Sequence, residues 1–175
     1  MKSFTLLLFI FLILLITKYT SAKDWELNDD KYKFTVTLPD NWIKTDNKET
    51  SDQDAISYSF EEKDKKCSMM ILAFKLTTVK NLEDFIYTME KDVSLNIPSK
   101  TSEYTAFDNG NYDSKSATYK DQQFTEKISY FRTKLPDATY NFVYMIRGIT
   151  TNDNYNANTD SLINRIISSF LPTSK

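Results

Sequence analysis

Cys67-Ser68-Met69-Met70-Ile71-Leu72-Ala73-Phe74-Lys75-Leu76 is apolar from Met69 to Phe74 without a break. A strand points successive side chains to opposite faces, so an unbroken run puts apolar surface on both. A strand of that kind sits inside a sheet with cover above and below it. Residues 67–76 therefore predict a layered molecule, and the rest of the chain has to supply the layers.

Working outward, the flanking segments alternate. Residues 32–38 put Phe34, Val36 and Leu38 on one face and Lys33, Thr35 and Thr37 on the other, until Pro39-Asp40-Asn41 stops the strand. Trp42 follows the turn, and the polar stretch 45–54 reads as a loop. Residues 55–60 give a second half-buried strand through Ile56, Tyr58 and Phe60, and 61–66 a charged turn. After Lys80 the period becomes helical: Leu82, Phe85, Ile86, Met89 and Val93 share one face, Asn81 caps the start, and Pro98 marks the end. Residues 102–107 and 112–120 flank Asp108-Asn109-Gly110-Asn111, a hairpin signal.

Residues 124–135 and 138–148 form a last hairpin around Pro136-Asp137. A symmetric turn there sets Glu126 opposite Arg147. It also aligns Phe131 and Leu135 with Tyr140, Phe142, Tyr144 and Ile146 on a core face. A second amphipathic helix carries Leu162, Ile163, Ile166, Ile167 and Phe170, capped by Asn158 or Thr159. Seven short strands joined mostly as hairpins, with two helices, predict an α+β fold built on an antiparallel sheet.

The first 22 residues have the three-part layout of a secretory signal: Lys2, an apolar stretch over 4–16 interrupted by Thr5, and small residues at Thr20-Ser21-Ala22. The apolar stretch is shorter than the about 20 residues a membrane-spanning helix needs. No cysteine follows it to take a lipid anchor. The expected mature chain, residues 23–175, is one domain, secreted or periplasmic, with no stable membrane anchor. Loss of Lys2 and Lys18 leaves 20 basic residues against 24 acidic ones, a net charge of −4 with no basic stripe for nucleic acid.

The pattern Phe34-x-Val36-x-Leu38-Pro39-x-x-Trp42 resembles the opening of PsbP-like domains, an alternating strand followed by Pro and Trp. The helix led by Leu82 and Phe85 and the closing Ile166-Ile167-Ser168-Ser169-Phe170 are similar to that family's helices, so the resemblance runs over roughly residues 30–172. It implies an α/β/α sandwich with a central antiparallel sheet of about six to seven strands and two main helices. It also implies an exported or organelle-lumen accessory protein that binds other proteins. The photosynthetic members place His near metal; this chain has none, so no metal role carries over.

The residue inventory excludes much chemistry. Without His there is no Ser-His or Cys-His nucleophile pair and no imidazole for zinc. Two glycines, Gly110 and Gly148, cannot build a phosphate cradle. Cys67 is alone, so no internal disulfide forms, and it reads as a buried thiol. Glu61, Glu62 and Asp64, interleaved with lysines, read as a solvated turn. Asp153, Asn154, Asn156, Asn158 and Asp160 offer oxygens for calcium but miss the EF-hand spacing, and a helix-capping loop is the plainer reading.

Aromatic residues number 25, most at in-facing positions. Trp25, Tyr112, Tyr119 and Tyr130 are the candidates for a contact patch. The expectation is thus a monomeric, non-catalytic binding module without metal or cofactor, with an unidentified protein as partner. The alternative is a small-ligand or lipid carrier whose cavity between sheet and helix is lined by Met69, Met70 and Met89.

Overall fold

Residues 23–134 and 139–173 are described by a computed structural model. The expected signal segment, Leu135 and the Pro136-Asp137 turn lie outside the described residues. The strands are β1 (Trp25–Asp29), β2 (Phe34–Leu38), β3 (Trp42–Glu49), β4 (Ala55–Glu62), β5 (Cys67–Leu76), β6 (Ser99–Lys100), β7 (Thr105–Asp108), β8 (Tyr112–Lys120), β9 (Phe124–Thr133), β10 (Asn141–Thr151) and β11 (Leu171–Pro172). The helices are α1 (Leu82–Lys91) and α2 (Ala157–Ser169), and a 3-10 turn, Val93–Leu95, follows α1.

The main sheet runs β3-β4-β5-β10-β9-β8-β6, with β7 also paired to β8, and every pairing is antiparallel. A small antiparallel sheet, β1-β2-β11, packs with α2 on one face, and α1 covers the other. This is the expected α+β arrangement, with eight strands in the sheet rather than six or seven. The strands missed by pattern are short or at edges. β3 is exposed at every position after Trp42, so it has no alternation to read, and residues 45–49 are strand, not loop.

The face under α2 is the aromatic one. Phe170 stacks on Phe34 at 5.2 Å and meets Phe131 at 4.8 Å and Tyr144 at 5.1 Å. The Tyr144 hydroxyl donates to the carbonyls of Tyr32 and Lys33, fixing the β1–β2 hairpin to the sheet. Gly148 lies under α2, where a Cβ would come within 2.3 Å of Ile163 Cγ2.

β5 is central, yet it is not buried equally on both faces. Cys67, Met69, Ile71 and Ala73 are buried, while Met70, Leu72 and Phe74 on the α1 side are only half-buried. The strands enclosed on both faces are β9 and β10. Width explains this. Seven strands at about 4.8 Å span about 30 Å, and a helix is about 10 Å across. On one face α2 and the small sheet share the cover, but α1 alone cannot reach β3 and β4.

Candidate groove beside helix α1

Helix α1 starts at Asn81, whose side chain accepts the Asp84 amide hydrogen at 2.8 Å. Leu82, Phe85, Ile86 and Met89 pack on Ala117, Tyr119, Ile128, Tyr130, Val143 and Met145. The helix ends at Lys91 because the Asp92 carboxylate caps the 3-10 turn instead, and Asn96 then turns left-handed with φ of 45°. Val93, expected on the buried face, is therefore outside the helix and 93% exposed.

A polar track, buried at Arg147 and Glu126, holds this assembly. Arg147 and Glu126 make a two-pronged ion pair, Nε to Oε2 and Nη2 to Oε1, both 2.8 Å, and Arg147 Nη1 donates to the Leu95 carbonyl at 2.7 Å. The expected pair forms, but across a diagonal: Glu126 faces Ile149 and Arg147 faces Ile128. Tyr104 and Tyr119 each donate to Glu90 Oε1 at 2.5 Å. Burial, then the Glu90 hydrogen bond, drives the Tyr119 phenol far above its ordinary pKa, and pushes Tyr104 up to about 12. Both the helix and the 3-10 turn are thus tied to the sheet by charge-assisted bonds.

Between this assembly and the bare half of the sheet lies a groove of about 330 Å³. Ala55, Leu72 and Phe74 form its floor, and Met89 and Leu95 its wall. Lys48 and Asp92 put both signs of charge on the rim. Of the three methionines expected to line a cavity, Met89 does so. Met69 is buried on the opposite face, and Met70 lies along β5 outside the groove.

The four candidate contact aromatics are not brought together. Tyr119 and Tyr130 are buried under α1, at 1% and 0% exposure, which removes them from any contact surface. The ring of Tyr119 buries because its hydroxyl reaches out to the Glu90 carboxylate at the exposed edge of α1. Trp25 and Tyr112 are half-buried on the other face, Trp25 against Phe60 and Tyr112 against Phe131.

The other sequence candidates resolve as structure. Glu62 is buried at the end of β4 and accepts from Asn41, so the charged turn is shorter than expected. Cys67 is buried, and burial, with the nearby Glu62 charge, pushes its thiol up against the pull of Thr150 and Lys66. In the 153–160 loop the α2 cap is Asn156, not Asn158 or Thr159: its side chain accepts the amides of Asn158 and Thr159, and the Thr159 hydroxyl accepts the Asn156 amide. Asp160 is occupied by Tyr155, Lys127 and Asn164.

No protein-family model and no curated protein matches the chain. Solved structures do. A mutant of the protein Mog1 is 14% identical, with 87% of this chain and 97% of that one covered and a TM-score of 0.50. The Saccharomyces cerevisiae Ran-binding protein Mog1p is 14% identical, with 88% and 97% covered and a TM-score of 0.49. LpqN of Mycobacterium tuberculosis, involved in cell envelope biogenesis, is 11% identical, with 87% and 91% covered and a TM-score of 0.46. At this identity the likeness is one of α+β fold alone, and fold alone does not carry function.

Proposed function

We propose that this chain is an exported, monomeric, non-catalytic binding module that holds an apolar segment of a protein partner in the groove beside α1. The observation that carries the reading is the half-covered strip of Leu72 and Phe74 on the groove floor, walled on one side only by Met89 and Leu95. Fully burying one such side chain is worth about 1.5–3 kcal/mol. A mixed-charge rim suits a polypeptide, which brings polar groups to meet it. The absence of His from the chain supports a non-catalytic role. Export rests on residues 1–22; among the described residues no helix is long and apolar enough to cross a membrane.

The test is affinity purification of the tagged full-length chain from its own compartment, with mass spectrometry of what stays bound. One protein near equal stoichiometry is expected, and Ala55→Glu on the groove floor should release it while leaving the circular dichroism spectrum unchanged. No stoichiometric protein, or one retained undiminished by Ala55→Glu, would overturn the reading. The groove's apolar lining also favours a second reading, a carrier of a small apolar ligand. A molecule recovered in an organic extract of the purified protein, without a protein partner, would favour that instead.

A further inference from the structure

The β7–β8 hairpin and the small sheet meet at a second groove, on the other face of the main sheet, and the geometry points to a saccharide-binding site there. Its volume is about 420 Å³, inside the range of about 300–1,000 Å³ typical of small-molecule sites. Tyr112 contributes a half-buried ring, held by Phe107 at 5.8 Å and Phe131 at 5.9 Å. Leu171 and Pro172 of β11 extend the apolar surface. Asn28, Asp30, Thr35, Asn109 and Asn111 supply the polar lining.

Those polar groups are largely unused by the fold. Asn28, Asp30, Thr35 and Asn111 make no side-chain hydrogen bond or ion pair among the described residues. Asn109 Oδ1 accepts the amides of Asn111 and Tyr112, which leaves its amide nitrogen to donate. The turn that carries them is set in advance. Gly110 takes φ of 85°, its amide donates to Asp108 Oδ1 at 2.9 Å, and the Lys134 amide donates to the Asn111 carbonyl at 2.8 Å. A ligand would meet ordered groups and lose little in ordering them.

The chemistry of the lining selects the ligand class. Amides donate and accept, carboxylates accept, and hydroxyls do both, which is what a run of neighbouring sugar hydroxyls requires. A phenol ring offers a flat apolar face for the C–H side of a sugar ring. No Lys or Arg lines the groove and Asp30 does, so a phosphate would find no counter-charge. One carboxylate is too few for a calcium cage. A purely apolar ligand would desolvate the amides without pairing them. The ligand left is neutral and rich in hydroxyls.

The test is an amide NMR titration of the isotope-labelled protein, expressed from the full-length chain, with maltotriose, cellotriose and chitotriose, and with inorganic phosphate as control. At least one trisaccharide is expected to move the Asn28, Asn111 and Tyr112 amides at millimolar concentration, and phosphate to leave them still. Asn111→Ala touches no contact of the fold and should weaken the apparent Kd about three- to tenfold, the cost of one or two hydrogen bonds. Tyr112→Phe should keep binding and Tyr112→Ala should lose it. Ala55→Glu should change nothing, which separates this site from the groove beside α1. The inference falls if none of the three sugars moves these amides, if phosphate moves them equally, or if the shifts survive both Asn111→Ala and Tyr112→Ala.

Discussion

Gly148 sets the distance between α2 and the sheet. Its φ is not in the left-handed region, so space, not conformation, is the reason for glycine there. The clash partner is the buried, β-branched Ile163, whose single favoured rotamer leaves it nowhere to go. Gly148→Ala is therefore expected to lower stability by about 1–3 kcal/mol, as overpacking does. A urea titration should show a lower midpoint with an unchanged slope; an unchanged midpoint would mean that α2 can shift without cost. The sequence gives little warning of this residue, because a glycine inside a strand is silent about what lies over it. Glu126 and Arg147 were legible as partners, since both sit at in-facing positions of adjacent strands. Their diagonal register was not, because it depends on the length of the connection between β9 and β10, which residue pattern does not report.

At the scale of elements, helix starts were half readable. Asn81 stands before an apolar-periodic run with an acidic residue three positions on, and the structure uses it as the cap. The second start misled because the 153–160 stretch is crowded with residues able to cap. Asn156 wins because Thr159, three residues later, can return the bond to its backbone amide. Asn156→Ala is accordingly expected to cost about 1 kcal/mol, while Asn158→Ala, whose side chain bonds nothing described, should be nearly neutral. Thermal melts of the two variants decide it, and equal losses would mean that the loop, not the cap, supports α2. The strand reading failed where exposure removed the signal. β3 is long but faces water, and β6 and β11 are two residues each, too short for any period.

At the scale of the whole molecule, the buried phenols tie the layers together and make the fold sensitive to base. Tyr58 donates to the Asp29 carboxylate at 2.7 Å and Tyr32 to Glu49 at 2.8 Å, joining the β1–β2 hairpin to the main sheet. Tyr144 locks the same hairpin through two carbonyls, and Tyr104 and Tyr119 lock α1 through Glu90. In each, burial first, and neighbouring carboxylates second, raise the phenol above its ordinary value of 10.0; Tyr104 and Tyr155 reach about 12 and Tyr58, Tyr119 and Tyr144 lie higher. A group whose folded pKa is raised contributes its full stability below the unfolded value and loses it as pH rises toward the folded one. The unfolded chain releases its phenolic protons from about pH 10, while the folded chain holds them, so each step up in pH favours unfolding. These groups should therefore contribute their full stability at neutral pH and lose it as pH rises from about 10, so that the protein unfolds cooperatively in that alkaline range. Far-ultraviolet circular dichroism and tyrosinate absorbance, followed together, should change in one shared transition. Ionisation of the buried phenols ahead of any loss of secondary structure would mean that they are accessible in the folded state, and that the layers are held by packing without them.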